Sequence, residues 1–244
     1  MIEVRNISKH FGAVQAVKEV NFSAPDSRIT GLLGPNGAGK STTLRIISTV
    51  LKPDGGTVLV DGSDVRSDSE SARLKLGVLP HASGLYPRLS AEENIRYYGE
   101  LNGLEGVALK KRIAELVELL EMQDFATRPA KGVSQGQRIK VALARVLVHR
   151  PKNVVLDEPT NGLDVMATRA LRAIIKRLRD EGHCVLFSSH VMQEVAALCD
   201  DIIIIAHGCI VARGTPDDIR RQTGETDLEE AFVKAVGNAE STGS

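Results

Sequence analysis

Residues 29–42 read ITGLLGPNGAGKST, and this stretch decides the fold. Its apolar start predicts a buried strand, and the turn after it matches G-x-x-x-x-G-K-[ST] at the start of a helix predicted over residues 39–50. Glycines let successive backbone N–H groups point inward as an anion nest, and the helix start adds positive charge. The candidate phosphate ligands are Gly34, Pro35, Asn36, Gly37, Ala38, Gly39, Lys40, Ser41 and Thr42.

Within this loop, two side chains carry distinct chemistry. Lys40 supplies a positive charge for the β- and γ-phosphates of a nucleotide, and Ser41 offers a hydroxyl to Mg²⁺. The alternative is a glycine-rich turn without a ligand. The match over the whole pattern, between a strand and a helix, favours a site for ATP with Mg²⁺.

A pair of carboxylates follows a second predicted strand. Residues 153–156 read NVVL, and Asp157 and Glu158 come directly after them. In α/β sheets ligands bind at the carboxyl ends of the strands. Asp157 is therefore predicted to hold Mg²⁺, and Glu158 to polarise the attacking water. Taken alone, the pair is equally compatible with two solvated carboxylates, and the phosphate loop upstream favours the functional interpretation.

The order of apolar patterns along the chain predicts an α/β protein. Short alternating runs lie within residues 2–22, helical spacing dominates residues 91–150, and strands alternate with helices from residue 151 onward. Such alternation implies a mostly parallel sheet with crossover helices. We expect one domain over residues 1–220, followed over residues 221–244 by a helix and a flexible tail that is polar from Gly237.

Composition excludes several classes of protein. The chain has 31 Lys plus Arg against 31 Asp plus Glu and no Trp, which argues against a nucleic-acid partner. Cys184, Cys199 and Cys209 form no C-x-x-C pair and are predicted to be small buried hydrophobes. The first residues lack the apolar segment of a secretion signal. The longest aliphatic run, residues 202–206, is far shorter than the ~20 residues of a membrane-spanning helix.

Three further stretches carry a resemblance to a known family. Residues 133–137 (VSQGQ) resemble a family signature that is usually LSGGQ, residues 161–164 (NGLD) resemble its D-loop, and residues 188–190 (SSH) resemble its switch histidine. With the motifs above, in the correct order from about residue 2 to 219, they resemble the ATP-binding cassette (ABC) family, the nucleotide-binding subunits of ABC transporters.

The resemblance implies a more detailed fold. It is a P-loop NTPase (RecA-like) α/β core with a mostly parallel sheet, an N-terminal antiparallel β subdomain and an inserted helical subdomain. Residues 1–85 and 151–220 would form the core and the β subdomain, and residues 86–150 the helical subdomain.

The resemblance also implies a dimer with two shared ATP sites. The signature residues of one subunit would meet the γ-phosphate bound to the opposite subunit, and both half-sites look intact, which permits a homodimer. Asp164 belongs to the D-loop, and His190 would contact the γ-phosphate and the attacking water. The alternatives are a plain helix cap for the signature and a structural role for the histidine. The signature residues are Ser134, Gln135, Gly136 and Gln137.

Two positions depend most on the comparison with the family. Phe11 occupies the place of an aromatic residue that stacks on adenine in many relatives, and its alternative is a core side chain. His81 stands after the run at residues 74–79, where relatives carry a glutamine that touches Mg²⁺ and the membrane subunit. Imidazole is shorter than the glutamine side chain and titrates near neutral pH. Metal contact at His81 is therefore less expected than a coupling role of its loop.

The loop at residues 79–95 resembles the export branch of the family, the ABC-2 type, and most nearly the ATPase subunits of sodium-extruding systems. That implies a polytopic membrane permease as partner, a second ATPase subunit, and a place at the cytoplasmic face of the membrane. Similar loops occur in subunits that serve drug, antibiotic and polysaccharide export. Further alternatives are a soluble ABC ATPase outside transport and a regulator that binds nucleotide without hydrolysing it.

Overall fold

The computed structural model describes residues 1–82 and 84–242, with the backbone alone for residues 239–242. Two sheets form its centre. The first sheet is antiparallel, in the order β2-β1-β4-β5. Its strands are β1 (Ile2–Phe11), β2 (Val14–Ala24), β4 (Gly55–Val60) and β5 (Ser63–Asp64). The second sheet has the order β10-β9-β3-β8-β7-β6. Its strands are β3 (Arg28–Leu33), β6 (Leu76–Leu79), β7 (Asn153–Asp157), β8 (Cys184–Ser189), β9 (Asp201–Ala206) and β10 (Cys209–Gly214).

The second sheet is parallel except for its edge strand β10, which pairs with β9 in the antiparallel sense. The parallel strands are buried on both faces, so they are largely apolar without alternation. In β3, Ile29 and Leu33 pack into a core with the helices, whereas Leu32 packs into a second core with the first sheet and the first helix. Burial on both faces explains why these strands could be predicted from continuous apolar runs in the sequence.

Helices connect the strands and cover the second sheet. They are α1 (Lys40–Ile47), α2 (Ser69–Leu74), α3 (Ala91–Leu101), α4 (Gly106–Leu119), α5 (Gln135–Leu147), α6 (Val165–Asp180), α7 (Met192–Leu198), α8 (Pro216–Thr223) and α9 (Leu228–Thr242). Helices α3, α4 and α5 lie between β6 and β7 in the chain and pack on one another. In α4, Leu109, Ile113 and Leu116 are buried at the predicted helical spacing. Within the described ranges, no helix has the length and apolar character needed to cross a membrane.

The predicted fold class is confirmed, with differences at element ends. The helix after the phosphate loop ends at Ile47, three residues earlier than predicted, and Thr49 has a left-handed φ of 63°. Helix α2 and edge strand β10 were not predicted. The first covers only six residues, and the second interrupts its apolar run with Arg213. Neither stretch is long enough for its apolar spacing to identify it as a helix or a strand.

The C-terminal region differs most from expectation. The expected boundary at residue 220 falls inside α8, and α9 continues through Thr242 where a polar tail from Gly237 was predicted. Leu228, Ala231 and Ala235 are buried, at spacings of three and four residues. They join the same core as the parallel strands. Residues 243–244, the end of the predicted tail, lie outside the described residues.

Candidate active site

The phosphate loop joins β3 to α1 and contacts one strand of each sheet, β2 and β9. Gly37 and Gly39 have φ of 80° and 107°, in the left-handed region that favours glycine. A Cβ on Gly39 would lie 2.6 Å from the carbonyl oxygen of Ala16 in β2. A Cβ on Gly34 would lie 2.2 Å from the carbonyl oxygen of Ile205 in β9. The glycines are therefore required both for the turn and for its close approach to the sheets.

This packing leads to a stability prediction for Gly34→Ala. Because the added methyl group would overlap a backbone oxygen, we expect the free energy of unfolding to fall by about 2 kcal/mol and ATP affinity to fall with it. Urea denaturation and calorimetric ATP titration measure the two effects. Gly55→Ala is the matched control, since its Cβ would meet only Ser8 at an ordinary 3.8 Å. Wild-type stability of Gly34→Ala would contradict the prediction.

Lys40 begins α1 and is 4% exposed. Its Nζ donates hydrogen bonds to the carbonyl oxygens of Gly34 at 2.8 Å and Pro35 at 3.1 Å, so the ammonium group is folded against its own loop. It also lies 3.8 Å from Glu158 Oε1. Burial lowers the pKa of Lys40 because desolvation disfavours the charged form, while the charges of Glu158 and Asp157 act in the opposite direction.

The two carboxylates end β7 and are tied to the neighbouring strand β8. Ser188, which is fully buried, donates its hydroxyl to Asp157 Oδ1 at 2.8 Å and accepts the backbone N–H of Glu158 at 3.0 Å. Glu158 has a φ of 48°, a left-handed conformation that costs a residue with a side chain of order 1 kcal/mol. Its bond to Ser188 helps hold this conformation, which turns Glu158 away from the direction that Asp157 takes.

Two histidines face the carboxylate of Glu158. His190 Nδ1 lies 3.3 Å from Oε1, and His81 Nδ1 lies 3.8 Å from Oε2. Both imidazoles are partly exposed, whereas the side chain of Glu158 is only 15% exposed. His81 follows β6 and His190 follows β8, on either side of β7. Because parallel strands end at one edge of the sheet, four successive strand ends bring Lys40, His81, Glu158 and His190 together.

The loop and its neighbours fit a nucleotide phosphate with Mg²⁺. Among the described residues, no side chain caps α1, so the N–H groups of its first turn suit an anion. Ser41 is exposed, and Asp157 is half-buried. A hydroxyl and a carboxylate are the hard oxygen ligands that Mg²⁺ takes, usually with water completing the shell. Over residues 1–82 and 84–242 no cluster of three or more His, Cys, Asp or Glu side chains suits a metal.

Phe11 lies at the end of β1 and is 50% exposed, so the alternative of a core side chain is wrong. Lys9 Nζ lies 5.9 Å from the centre of its ring, a weak cation–π contact. Phe11 pairs with Val14 of β2, and β2 touches the phosphate loop at Ala16. Its stacking on adenine stays a prediction.

The signature residues begin α5 as a helix cap. Ser134 Oγ accepts the backbone N–H of Gln137 at 3.2 Å, and the Gln137 side chain accepts the N–H of Ser134 at 2.9 Å, a reciprocal capping box. Gln135 lines a recess of about 30 Å³ that also borders His81 and Glu158 of the same chain. The cap and an anion-binding role use the same helix start and are compatible.

Asp164 likewise caps a helix. Its Oδ1 accepts the backbone N–H of Ala167 at 2.8 Å at the start of α6. Neither the contacts of Ser188 nor the cap formed by Asp164 was predicted from the sequence. An aspartate directly before an apolar periodic stretch is the signal that could have predicted the cap. Nothing local in the sequence points to the Ser188 contacts, since its partners are about 30 residues away.

Comparison with known proteins gives a consistent result. A family profile described as "ABC transporter" matches residues 17–161. The ABC transporter ATP-binding protein NatA of Bacillus subtilis (strain 168) is 39% identical, covering 97% of this chain and 98% of NatA. The linearmycin resistance ATP-binding protein LnrL of the same organism is 35% identical, covering 98% and 77%. The daunorubicin/doxorubicin resistance ATP-binding protein DrrA of Streptomyces peucetius is 34% identical, covering 98% and 72%.

Solved structures agree with the sequence matches. An ATP-binding subunit of an ABC transporter superposes with a TM-score of 0.87 at 29% identity, covering 96% of this chain and 99% of that one. A dimeric ATP-binding cassette in a post-hydrolysis state, bound to ADP and phosphate, gives a TM-score of 0.79 at 27% identity and covers 88% and 98%. The chain therefore belongs to the ABC transporter family. Within that family it is an ATP-binding subunit that hydrolyses ATP.

Proposed function

We propose that this chain powers export through a separate membrane permease and hydrolyses ATP at the edge of its parallel sheet. The observation that carries the proposal is the convergence of Lys40, His81 and His190 on Glu158. Lys40 supplies a positive charge for the phosphate, and Glu158 supplies a carboxylate that can polarise water, with the two imidazoles beside that carboxylate. These groups suit the in-line attack of water on a phosphate. Catalysis here consists mainly of positioning and charge stabilisation.

Each side chain has a role in this proposal. Lys40 leaves the loop carbonyls and binds the β- and γ-phosphates, within the cradle of residues 34–42. Glu158 polarises the attacking water, and His190 orients that water and the γ-phosphate. Ser41 and Asp157 would hold Mg²⁺, which neutralises negative charge on the phosphate oxygens. Phe11 offers its exposed ring to the adenine.

A second copy of the chain completes the site in this proposal. The signature of one copy, residues 134–137, would approach the γ-phosphate held by the other, with Asp164 near the contact. The dimeric cassette bound to ADP and phosphate supports this arrangement in a relative. The capping box at Ser134 uses the backbone N–H groups of Ser134 and Gln137 and fixes the start of α5. The N–H groups of Gln135 and Gly136, which have no partner within the helix, are the ones that an anion would bind.

The membrane permease is expected at the groove beside the His81 loop. This groove has a volume of about 660 Å³ and lies between α1 and α5. Apolar side chains form much of its wall, and the exposed residues Arg45 and Arg73 also line it. An apolar segment with acidic residues would match both features. Through that partner the chain would lie at the cytoplasmic face of the membrane.

The transported solute follows from relatives alone. NatA and two proteins named for antibiotic resistance are similar to nearly the whole chain. The resemblance of residues 79–95 to sodium-extruding systems makes sodium one candidate, and the two resistance proteins make a drug-like solute the other. If a neighbouring gene encodes a polytopic protein, co-expression with that protein, followed by flux assays in membrane vesicles, tests the proposal. ATP-driven sodium movement that Glu158→Gln abolishes supports the first candidate, and movement of linearmycin or daunorubicin supports the second. If the chain neither binds the polytopic protein nor energises any flux with it, the export proposal fails.

A prediction concerns His81, where relatives carry glutamine. We expect His81→Gln to keep ATP turnover within about threefold, because an amide, like an imidazole, can hydrogen-bond to a water molecule beside the carboxylate of Glu158. His81→Ala removes that contact and should lower turnover about tenfold with little change in ATP affinity. Phosphate-release kinetics and calorimetry measure these quantities. If His81→Ala hydrolysed ATP at the wild-type rate, its contact with Glu158 would have no catalytic role.

A further inference from the structure

One carboxylate on α7 joins the loop that leaves β7 to the last residue of β8. Glu194 Oε2 accepts a hydrogen bond from Thr160 Oγ1 at 2.6 Å and another from Ser189 Oγ at 2.9 Å. Thr160 is the second residue after Glu158, and Ser189 directly precedes His190. A single oxygen atom therefore links the two segments that carry the proposed base and the switch histidine.

Burial makes this link strong. Thr160 is 8% exposed and Ser189 is 2% exposed, so neither hydroxyl can readily exchange its bond for water. Hydrogen bonds from hydroxyl groups to a carboxylate are shorter and about twice as strong as neutral ones. Ser189 Oγ also accepts the backbone N–H of Val191 at 3.0 Å, so its bonds bracket His190 on both sides. Glu194 thus restrains the backbone from which the imidazole projects.

Ladder hydrogen bonds do not provide the same restraint. The pairing of β7 with β8 ends at the register pair Asp157 and Ser188. The chain leaves the sheet after β7, whereas β8 continues to Ser189, which pairs with Leu33 of β3 on its other side. Ser188 ties the strand ends together at Asp157 and the N–H of Glu158. Beyond that point, the Glu194 bridge connects the loop after β7 to the end of β8. His190 Nδ1 and Glu158 Oε1, which lie 3.3 Å apart, belong to the two segments that this bridge joins.

We propose that Glu194 is a positioning residue for ATP hydrolysis, holding Glu158 and His190 in register through Thr160 and Ser189. The inference rests on the proposed function of those two groups. Rates that depend on positioning are sensitive to displacements of about 1 Å, which can cost ~100-fold. A purely structural carboxylate would affect stability and ATP binding together instead of the chemical step alone.

The first test compares two substitutions of Glu194 in the purified full chain. Glu194→Ala removes the shared acceptor and is expected to lower single-turnover phosphate release by about 10- to 100-fold, with ATP affinity within twofold of wild type. Glu194→Gln keeps an acceptor oxygen and is expected to restore the rate to within about threefold of wild type. Gln193→Ala is the matched control, since Gln193 is exposed on the same helix and donates to Glu229 at 2.9 Å, away from the site.

The second test asks whether the three side chains act as one unit. Thr160→Val and Ser189→Ala remove the donors without touching Glu194, so they also serve if Glu194→Ala does not fold. If the bridge positions the catalytic groups, either donor substitution made by itself should slow phosphate release. The same substitution added to Glu194→Ala should slow it no further. Fully additive effects on the rate would overturn the inference.

Parallel measurement of Glu158→Gln separates this inference from the proposed function. Slow turnover of Glu158→Gln with normal turnover of folded Glu194→Ala overturns the positioning role alone. Normal turnover of Glu158→Gln overturns the role of Glu158, on which the inference depends. The positioning role is also overturned if Glu194→Gln is as slow as Glu194→Ala and both variants lose thermal stability and ATP affinity together. That combination is what a structural defect would produce.

Discussion

Replacing Glu158 with glutamine is expected to leave ATP binding intact and to lower turnover by about 100- to 10,000-fold, the range that removal of a general base produces. Glutamine has nearly the same shape but cannot accept the proton of the attacking water. It also removes the negative charge 3.8 Å from Lys40 and 3.3 Å from His190. The phosphate loop does not depend on that charge, since Lys40 is held by two backbone carbonyl groups.

Two measurements check this prediction. Phosphate release gives the turnover number, and size-exclusion chromatography with ATP shows whether the variant accumulates as an ATP-bound dimer. Glu118→Gln, an exposed glutamate on α4, is the matched control and should behave as wild type. If Glu158→Gln turned over normally, the water-polarising group would have to be sought elsewhere in the site.

The substitution Lys40→Met is expected to weaken ATP binding by about 10- to 100-fold. Charged hydrogen bonds contribute about 1.5–3 kcal/mol each, and this ammonium group would make such bonds to the terminal phosphates. Methionine keeps the length and the apolar part of the buried side chain, so the start of α1 should remain packed. Part of the expected loss of affinity is offset. In the wild-type chain, ATP binding requires the ammonium group of Lys40 to leave the carbonyl oxygens of Gly34 and Pro35, and the variant does not have this cost.

Isothermal calorimetry with ATP and Mg²⁺ measures the dissociation constant directly. Lys52→Met, at an exposed lysine after α1, is the matched control for the loss of one positive charge. Thermal unfolding of both variants shows whether the loop is still folded. An unchanged dissociation constant for Lys40→Met would count against the phosphate-loop assignment itself.

Local patterns predicted the parts of this protein whose physics is local. The strand, turn and helix at residues 28–47 lie where the glycine pattern indicated, because left-handed φ values at Gly37 and Gly39 are a backbone requirement. The strand over residues 153–157 could be predicted from its continuous apolar run, because both of its faces are buried. By contrast, α2 and β10 are short elements that pack at the edges of the structure, and the sequence contains too few periods to reveal them.

Contacts between distant segments decided the environment of each candidate side chain. The sequence left the burial of Phe11 open between the core and the surface, and the structure shows it exposed at the last position of β1. The resemblance to the family marked His81 as a departure from the expected glutamine. Only the structure shows that its imidazole lies beside Glu158. The Glu194 bridge had no local signal either, since its partners lie 34 and 5 residues away on other elements.

The amino-acid sequence by itself determined the class of protein, the phosphate loop and the order of the motifs, because backbone conformation and apolar periodicity depend on neighbours in the chain. The tertiary structure alone decided which groups face Glu158 and how the C-terminal helix packs, because the ends of parallel strands meet only after the whole sheet has assembled. Chemistry at this site depends on distances of a few ångströms between residues more than 100 positions apart, such as Lys40 and Glu158. No local pattern encodes such distances.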